Sequence, residues 1–226
     1  MTVALVAEPL FELRWVLDHL GDVGQRLTEH IVLTGLAVGI GLAISFPLAV
    51  LAHRHRRLYA PVTWVTGLLY TIPSLALFAL LVPITHISTT TAEIGLVSYT
   101  LLILIRNIVA GLDGVPADVK EAAQGMGYTD RQILWRVELP LAMPAIVAGI
   151  RIATVTTIGL VTVTALIGKG GLGYFILLGL RRFFSTAIIL GAGLSVVLAV
   201  IADALLLGLQ WLLAPWRRAA RRRAVA

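Results

Sequence analysis

The sequence predicts an all-α integral membrane protein, a polytopic helical bundle with about five transmembrane helices. Three observations carry that prediction: 58% hydrophobic against 13% charged residues with a mean hydropathy of +0.93, long runs free of charge, and basic residues gathered at the ends of those runs. So apolar a composition lies far from that of an ordinary soluble domain. It excludes a soluble enzyme and a nucleic-acid binder. The net charge of +6 and pI near 10.3 could serve a polyanion. Five basic residues, however, sit between Arg217 and Arg223, the placement of a membrane flank. No cysteine is present, which removes disulfides, thiolate zinc sites and a cysteine nucleophile, and the five histidines form no pair at HExxH-type spacing.

A membrane helix needs about 20 mostly apolar residues to cross roughly 30 Å of hydrocarbon. The runs that qualify are Ile31–Ala52 and Leu58–Thr85, both uncharged, the second punctuated by Pro61, Pro73 and Pro83. Ile94–Leu112 is interrupted by Arg106 and Asn107, Leu139–Gly168 by Arg151, and Ala187–Pro215 by Asp203. Residues 1–30 lack a signal peptide's basic start and apolar region, and their acidic residues outnumber Arg14 and Arg26. They read as a retained extracytoplasmic amphipathic segment. Residues 31–215 then form the transmembrane domain, with an internal loop at 113–144, and 216–226 a basic tail. The loop HisArgHisArgArg at 53–57 and the tail place the cytoplasmic side, with the N-terminus outside and the C-terminus inside. Trp211 and Trp216, with Tyr59 and Trp64, suit the inner interfacial belt.

Between the third and fourth spans lies the one long stretch of mixed charge, GVPADVKEAAQGMGYTDRQILWRVELPLAMP. Pro116 suits a first helical turn and Asp118 the positive end of the helix dipole. Val119, Ala122, Ala123 and Met126 then recur at helical spacing as a narrow face of small side chains. Gly127 ends that helix, and Thr129 with Gln132 forms the pattern of a capping box opening the next, whose apolar residues are Ile133, Leu134 and Val137. Such a helix pair suits close approach by another protein.

These residues carry a resemblance. Glu121, Ala122, Ala123, Gly127 and, after nine residues, Val137, Glu138, Leu139, Pro140 resemble the EAA signature of the permease subunits of ATP-binding-cassette importers, with valine at 137 for the usual isoleucine. The stretches SFPLAVLAHR (45–54), YTIPSLALFALLVP (70–83), IRNIVAGL (105–112), VELPLAMPAIVAGIR (137–151) and ALIGKGGLGYFI (165–176) are similar to the osmoprotectant subfamily, whose cargo is glycine betaine, choline, carnitine or proline betaine. One departure is that no proline precedes the Arg106–Asn107 pair. The resemblance implies a type I importer fold in a bacterial or archaeal cytoplasmic membrane. It also implies a separate ATPase subunit carrying ATP and Mg, a second permease chain, identical or sister, and an extracytoplasmic substrate-binding protein. No cofactor or catalytic residue is expected on this chain. Glu121 to Gly127 would form the coupling helix docked on the ATPase, with Tyr128, Ile133, Leu134, Leu139 and Pro140 completing its fold.

Charges inside a bilayer cost about 2.5–3.5 kcal/mol on insertion scales, so Arg106, Arg151 and Asp203 need an account. At 1.5 Å per residue all three fall roughly 18–21 Å below the outer face, and Asp203 is expected to pair with Arg106 or Arg151. The alternative is that each arginine reaches separately to the inner surface. Pro73 and Ser74 break backbone bonding in mid-span, for a pathway or for packing alone. The run Gly-Lys-Gly-Gly-Leu-Gly (168–173) lacks the lysine–hydroxyl order of a phosphate loop; it reads as a tight or re-entrant outward turn, or as a plain flexible one. Two further functions stay open on the residues alone: a permease for another amino acid or small cation, and an ion-coupled secondary carrier, although a single intramembrane carboxylate and the absence of a repeat fit the latter poorly.

Overall fold

A computed structural model describes residues 10–213. The basic tail from Arg217 to Arg223 and Trp216 lie outside the described residues. In order, the helices are α1 (Leu13–Asp18), α2 (Leu20–Arg54), α3 (Arg56–Thr71), α4 (Ser74–Thr85), α5 (Thr89–Asp113), α6 (Ala117–Gly125), α7 (Asp130–Ile133), a π-helical turn (Leu134–Glu138), α8 (Leu139–Val163), a 3-10 turn (Thr164–Ile167), α9 (Gly173–Arg182) and α10 (Ser185–Leu213). Among them α2, α5, the continuous run Asp130–Ile167 and α10 are long and apolar enough to cross a membrane. The second predicted span, 58–85, is a broken one: α3 and α4 meet at 93°.

The break follows from Pro73. The residue before a proline is driven out of the helical region, and Ile72 has ψ 125. Within hydrocarbon the carbonyl so released needs a partner. The hydroxyl of Tyr99 on α5 donates to Ile72 O, and Tyr70 packs edge-on against the Tyr99 ring with centroids 5.8 Å apart.

Close approach between helices fixes their directions. A Cβ added at Gly41 would collide with Thr100, and further along the same helices His53 meets Asp113, so α2 and α5 run parallel. A Cβ at Gly149 would overlap Asn107, whereas Gly111 faces Ala142 and Ala145, which makes α8 antiparallel to α5. Small residues at such contacts let backbones approach where lipid supplies no hydrophobic drive. Arg151 meets Asp203 and Pro144 meets Gln210, so α10 is antiparallel to α8. The 53–57 loop, α6, α7 and the π turn share one end of the bundle. At the other end lie α1 and the 168–173 turn.

Residues 20–30, assigned on sequence to a separate N-terminal segment, are the first turns of α2. No proline stands between Leu20 and Ile31 to interrupt the helix, and an apolar face made by Trp15, Val16, Val23 and Leu27 packs on α9 and α10 around Leu172 and Phe175. Two hydrogen bonds anchor the entry: Glu12 N donates to Thr186 Oγ1 at 2.9 Å and Ser185 Oγ to Leu10 O at 2.9 Å. The third span also extends beyond its predicted start. Ser88 caps α5 by accepting from Thr91 N at 3.2 Å, which brings Glu93 into the helix. With no proline before Arg106, α5 is unbroken from Thr89 to Asp113.

The 168–173 turn is packed rather than loose. Gly168 and Gly171 have positive φ, and a side chain at Gly171 would strike the backbone of His30. His30, fully buried, holds the turn to the bundle: its Nδ1 accepts from Leu172 N at 3.3 Å and its Nε2 faces Ile158 O at 3.0 Å. The neutral ring satisfies both contacts when Nε2 carries the proton.

Replacing Tyr99 with Phe keeps the ring and removes the donor to Ile72 O. Leaving that carbonyl unpaired is expected to cost about 1–3 kcal/mol, read as a lower Tm of the detergent-purified protein. An unchanged Tm would show that the break does not depend on this bond.

Candidate functional site

The segment after α5 is built by its end signals. α6 closes in a Schellman arrangement: Tyr128 N donates to Ala123 O at 3.1 Å and Gly127 N to Gln124 O at 2.9 Å, with Gly127 at φ 82. Thr129 then caps α7 in a complete capping box, since Gln132 N donates to Thr129 Oγ1 at 3.4 Å and Thr129 N to Gln132 Oε1 at 2.8 Å. Within this frame Glu121, Ala122 and Gly127 are exposed, Tyr128 and Pro140 are partly buried, and Ala123, Ile133, Leu134 and Leu139 are buried. The first group offers a surface, joined by exposed Val119 and Met126. The second holds the surface to the bundle. Beside it a cavity of about 330 Å³ is lined by Thr129, Arg131, Gln132, Trp135 and Arg136.

Pro140 shapes the base of α8. A proline ring in an ordinary helix clashes with the carbonyl four residues back, and here the backbone widens instead into the π turn, with Leu139 N donating to Leu134 O. Such turns recur at functional positions. This one carries Glu138, buried at 8% exposure, into a cluster of charged residues that the sequence reading missed. Lys120 Nζ lies 3.2 Å from Glu138 Oε1 and His53 Nε2 3.3 Å from the same oxygen. His53 Nδ1 is 2.6 Å from Asp113 Oδ1, and Arg56 donates to Asp113 Oδ2 at 2.6 Å.

In the membrane interior Asp203 pairs with Arg151 and not with Arg106. The contact is bidentate, Nε to Oδ1 at 2.9 Å and Nη2 to Oδ2 at 2.8 Å, a geometry with directional strength beyond a point charge. Gln210 extends it, accepting from Arg151 Nη1 at 3.2 Å and donating to Pro144 O at 2.9 Å. α8 and α10 are thereby joined by a polar clamp. Arg106 is exposed and makes no ion pair among the described residues. Asn107 donates to Ile103 O at 2.8 Å on its own helix and fills the space left by Gly149. Pro73 and Ser74 form the break and the first turn of α4. Glu93 was overlooked because the uncharged run begins after it; both its carboxyl oxygens are buried without a hydrogen-bond partner among the described residues.

Residues 35–217 match the family of inner membrane components of binding-protein-dependent transport systems. The chain belongs to that family. The osmoprotectant import permease protein OsmW of Salmonella typhimurium is 40% identical over 208 residues, covering 90% of this chain and 97% of that one. A glycine betaine/carnitine/choline transport system permease protein of Bacillus subtilis, OpuCD, is 37% identical over 199 residues, covering 88% and 87%. In fold the chain resembles the MetNI methionine transporter in an inward-facing conformation, with a TM-score of 0.77 at 22% identity over 87% of this chain and 98% of that one. This permease is a multi-pass protein of the inner membrane and a transport subunit of an ATP-binding-cassette importer. The ion-coupled carrier is not favoured.

The clamp makes a direct prediction. Arg151→Gln and Asp203→Asn should each weaken the purified permease, and the double variant should lose little more than either alone, because both remove one contact. Arg106→Gln should instead add independently to Asp203→Asn. Thermal unfolding of the three single and two double variants reads this, and additivity of the Arg151 and Asp203 losses would dismiss the clamp.

Proposed function

We propose that this permease carries osmoprotectants of the glycine betaine, choline and carnitine type, small solutes with a quaternary ammonium group, and forms half of their passage across the membrane. The observation that carries the cargo is the 40% identity, across nearly the whole of both chains, to a permease named for osmoprotectant import; relatives named for choline and carnitine point the same way. The other half of the passage comes from a second permease chain, identical or sister. A substrate-binding protein delivers the cargo from outside, and a pair of ATPase subunits supplies ATP hydrolysis with Mg. This chain contributes no catalytic group and no cofactor.

The ATPase docks on the face made by Glu121, Ala122, Gly127, Val119 and Met126. Small side chains there admit a partner's surface closely, and covering the exposed apolar area of Met126 and Val119 would favour docking. The end of the bundle carrying this face is the cytoplasmic one. Its basic loop, Arg54, Arg56 and Arg57, supports that side, which leaves the N-terminus outside and the basic tail inside against the anionic leaflet. Alternating access then consists of the spans rocking as the ATPases close and open, with Pro73 and Ser74 at the mid-span break positioned to line the path.

Glu121→Lys and Gly127→Asp should lose both co-purification with the ATPase and uptake in proteoliposomes that hold the ATPase and binding protein. Gly127→Asp does so by adding charge to the face and strain at a positive φ. Uptake of labelled glycine betaine, choline and carnitine by the wild-type complex tests the cargo. ATP-independent uptake by this chain alone would overturn the importer reading.

A further inference from the structure

Five ionisable side chains from five different elements converge at the end of the bundle that carries α6, and none belongs to the docking face. We propose that this network is the relay that carries a displacement of α6 into the spans, with Lys120 and Glu138 as its positioning residues; the proposal rests on the importer reading above.

α6 has nine residues and buries only Ala123. A helix so short has little stability of its own, and one buried methyl cannot drag four long spans. The polar tie is stronger. Lys120 on α6 and His53 at the end of α2 share Glu138 Oε1, at 3.2 and 3.3 Å. His53 reaches on to Asp113 at the end of α5 at 2.6 Å, and Asp113 to Arg56 at the start of α3 at 2.6 Å. Glu138 stands on the π turn that leads directly into α8. One residue of α6 is thus connected to the ends of α2, α5, α3 and α8.

The chemistry keeps the tie from stretching. Glu138 is buried, and removing one partner of a buried carboxylate leaves its charge uncompensated, so Glu138 follows Lys120. Both ring nitrogens of His53 face carboxylate oxygens, and each contact is a hydrogen bond when both nitrogens carry protons. The outer link is weaker, because Arg56 is 70% exposed and an exposed pair contributes little. The rigid part of the relay is therefore Lys120, Glu138, His53 and Asp113.

The test compares Lys120→Met with Lys120→Arg in the reconstituted complex of permease, ATPase and binding protein. Labelled glycine betaine, choline or carnitine imported is measured against ATP hydrolysed. Lys120→Met should keep ATPase association and hydrolysis while cargo moved per ATP falls about tenfold, an ordinary coupling energy. Lys120→Arg should retain the wild-type ratio. An unchanged ratio in Lys120→Met, or a parallel loss of hydrolysis and import, would overturn the relay. Because the chain has no cysteine, spin labels at Gln124→Cys and Arg54→Cys report the α6–α2 distance in the purified permease without any partner. The distribution should broaden in Lys120→Met and stay narrow in Lys120→Arg; identical distributions would sink the relay. Absence of ATPase binding and import in the unsubstituted complex would instead count against the importer reading, while the label distances still decide the relay.

Discussion

Hydrocarbon offers no water to a backbone group released from a helix, and the break within the second span is made under that constraint; the breaks nearer the ends of the described spans also keep their backbone groups paired. Pro73 frees the Ile72 carbonyl, which Tyr99 takes up. Pro140 would collide with the turn before it, and the backbone widens to a π turn without abandoning its ladder. The 3-10 end of the fourth span is closed by Thr164, whose hydroxyl donates to Lys169 O while Lys169 N donates to Thr164 O at 3.0 Å. The glycine turn beyond it is fastened by His30. At Pro73 and at the glycine turn the partner comes from a distant helix, and Tyr99 and His30 so tie together segments far apart in sequence.

Charge obeys the same rule at greater cost. An arginine within a span can reach an interface along its own stem, or it can stay and be neutralised. Arg151 takes the second course because α10 brings Asp203 and Gln210 to it, and the fork of the guanidinium meets the carboxylate on two sides. Arg106 takes neither partner, since the α5 face beside it is occupied by Asn107 seated on Gly149. Two arginines at similar depth thus have different surroundings, set by which side of each helix meets a neighbour.

Legibility in the sequence follows the range of the interactions. Spans were readable because hydropathy is a local sum, and the helix pair after α5 because caps are local too: the Gly127 turn and the Thr129–Gln132 box act within five residues. The limits of that reading are equally physical. A proline in an apolar run announces a break, yet the 93° bend depends on how α4 lies over α5 around Phe78 and Gly95. Glu93 was excluded from its span because charge was used to end the run, whereas the cap at Ser88 starts the helix earlier. Residues 20–30 were read as separate because their polarity differs from that of the span, but helicity continues wherever no residue stops it. That His53, Asp113 and Glu138 meet was not found at all, for their contacts cross 60 to 85 positions and no periodicity records them.

The same distinction bears on how a small helix could move a large bundle. Apolar packing between α6 and the rest is slight, so the segment can be shaped by local caps and presented to a partner without being buried by its own chain. A docking element needs that freedom, yet a free element transmits nothing. A polar tie resolves the conflict, since a charged hydrogen bond to a buried carboxylate is short, directional and costly to break while covering almost no surface. Placing that carboxylate on the π turn puts it at the start of α8 within reach of side chains from α6 and α2, and His53 completes the connection to α5. In the proposed relay the exposed face is left to recognition, and force passes through Glu138, buried behind it, and through the partly exposed side chains it holds.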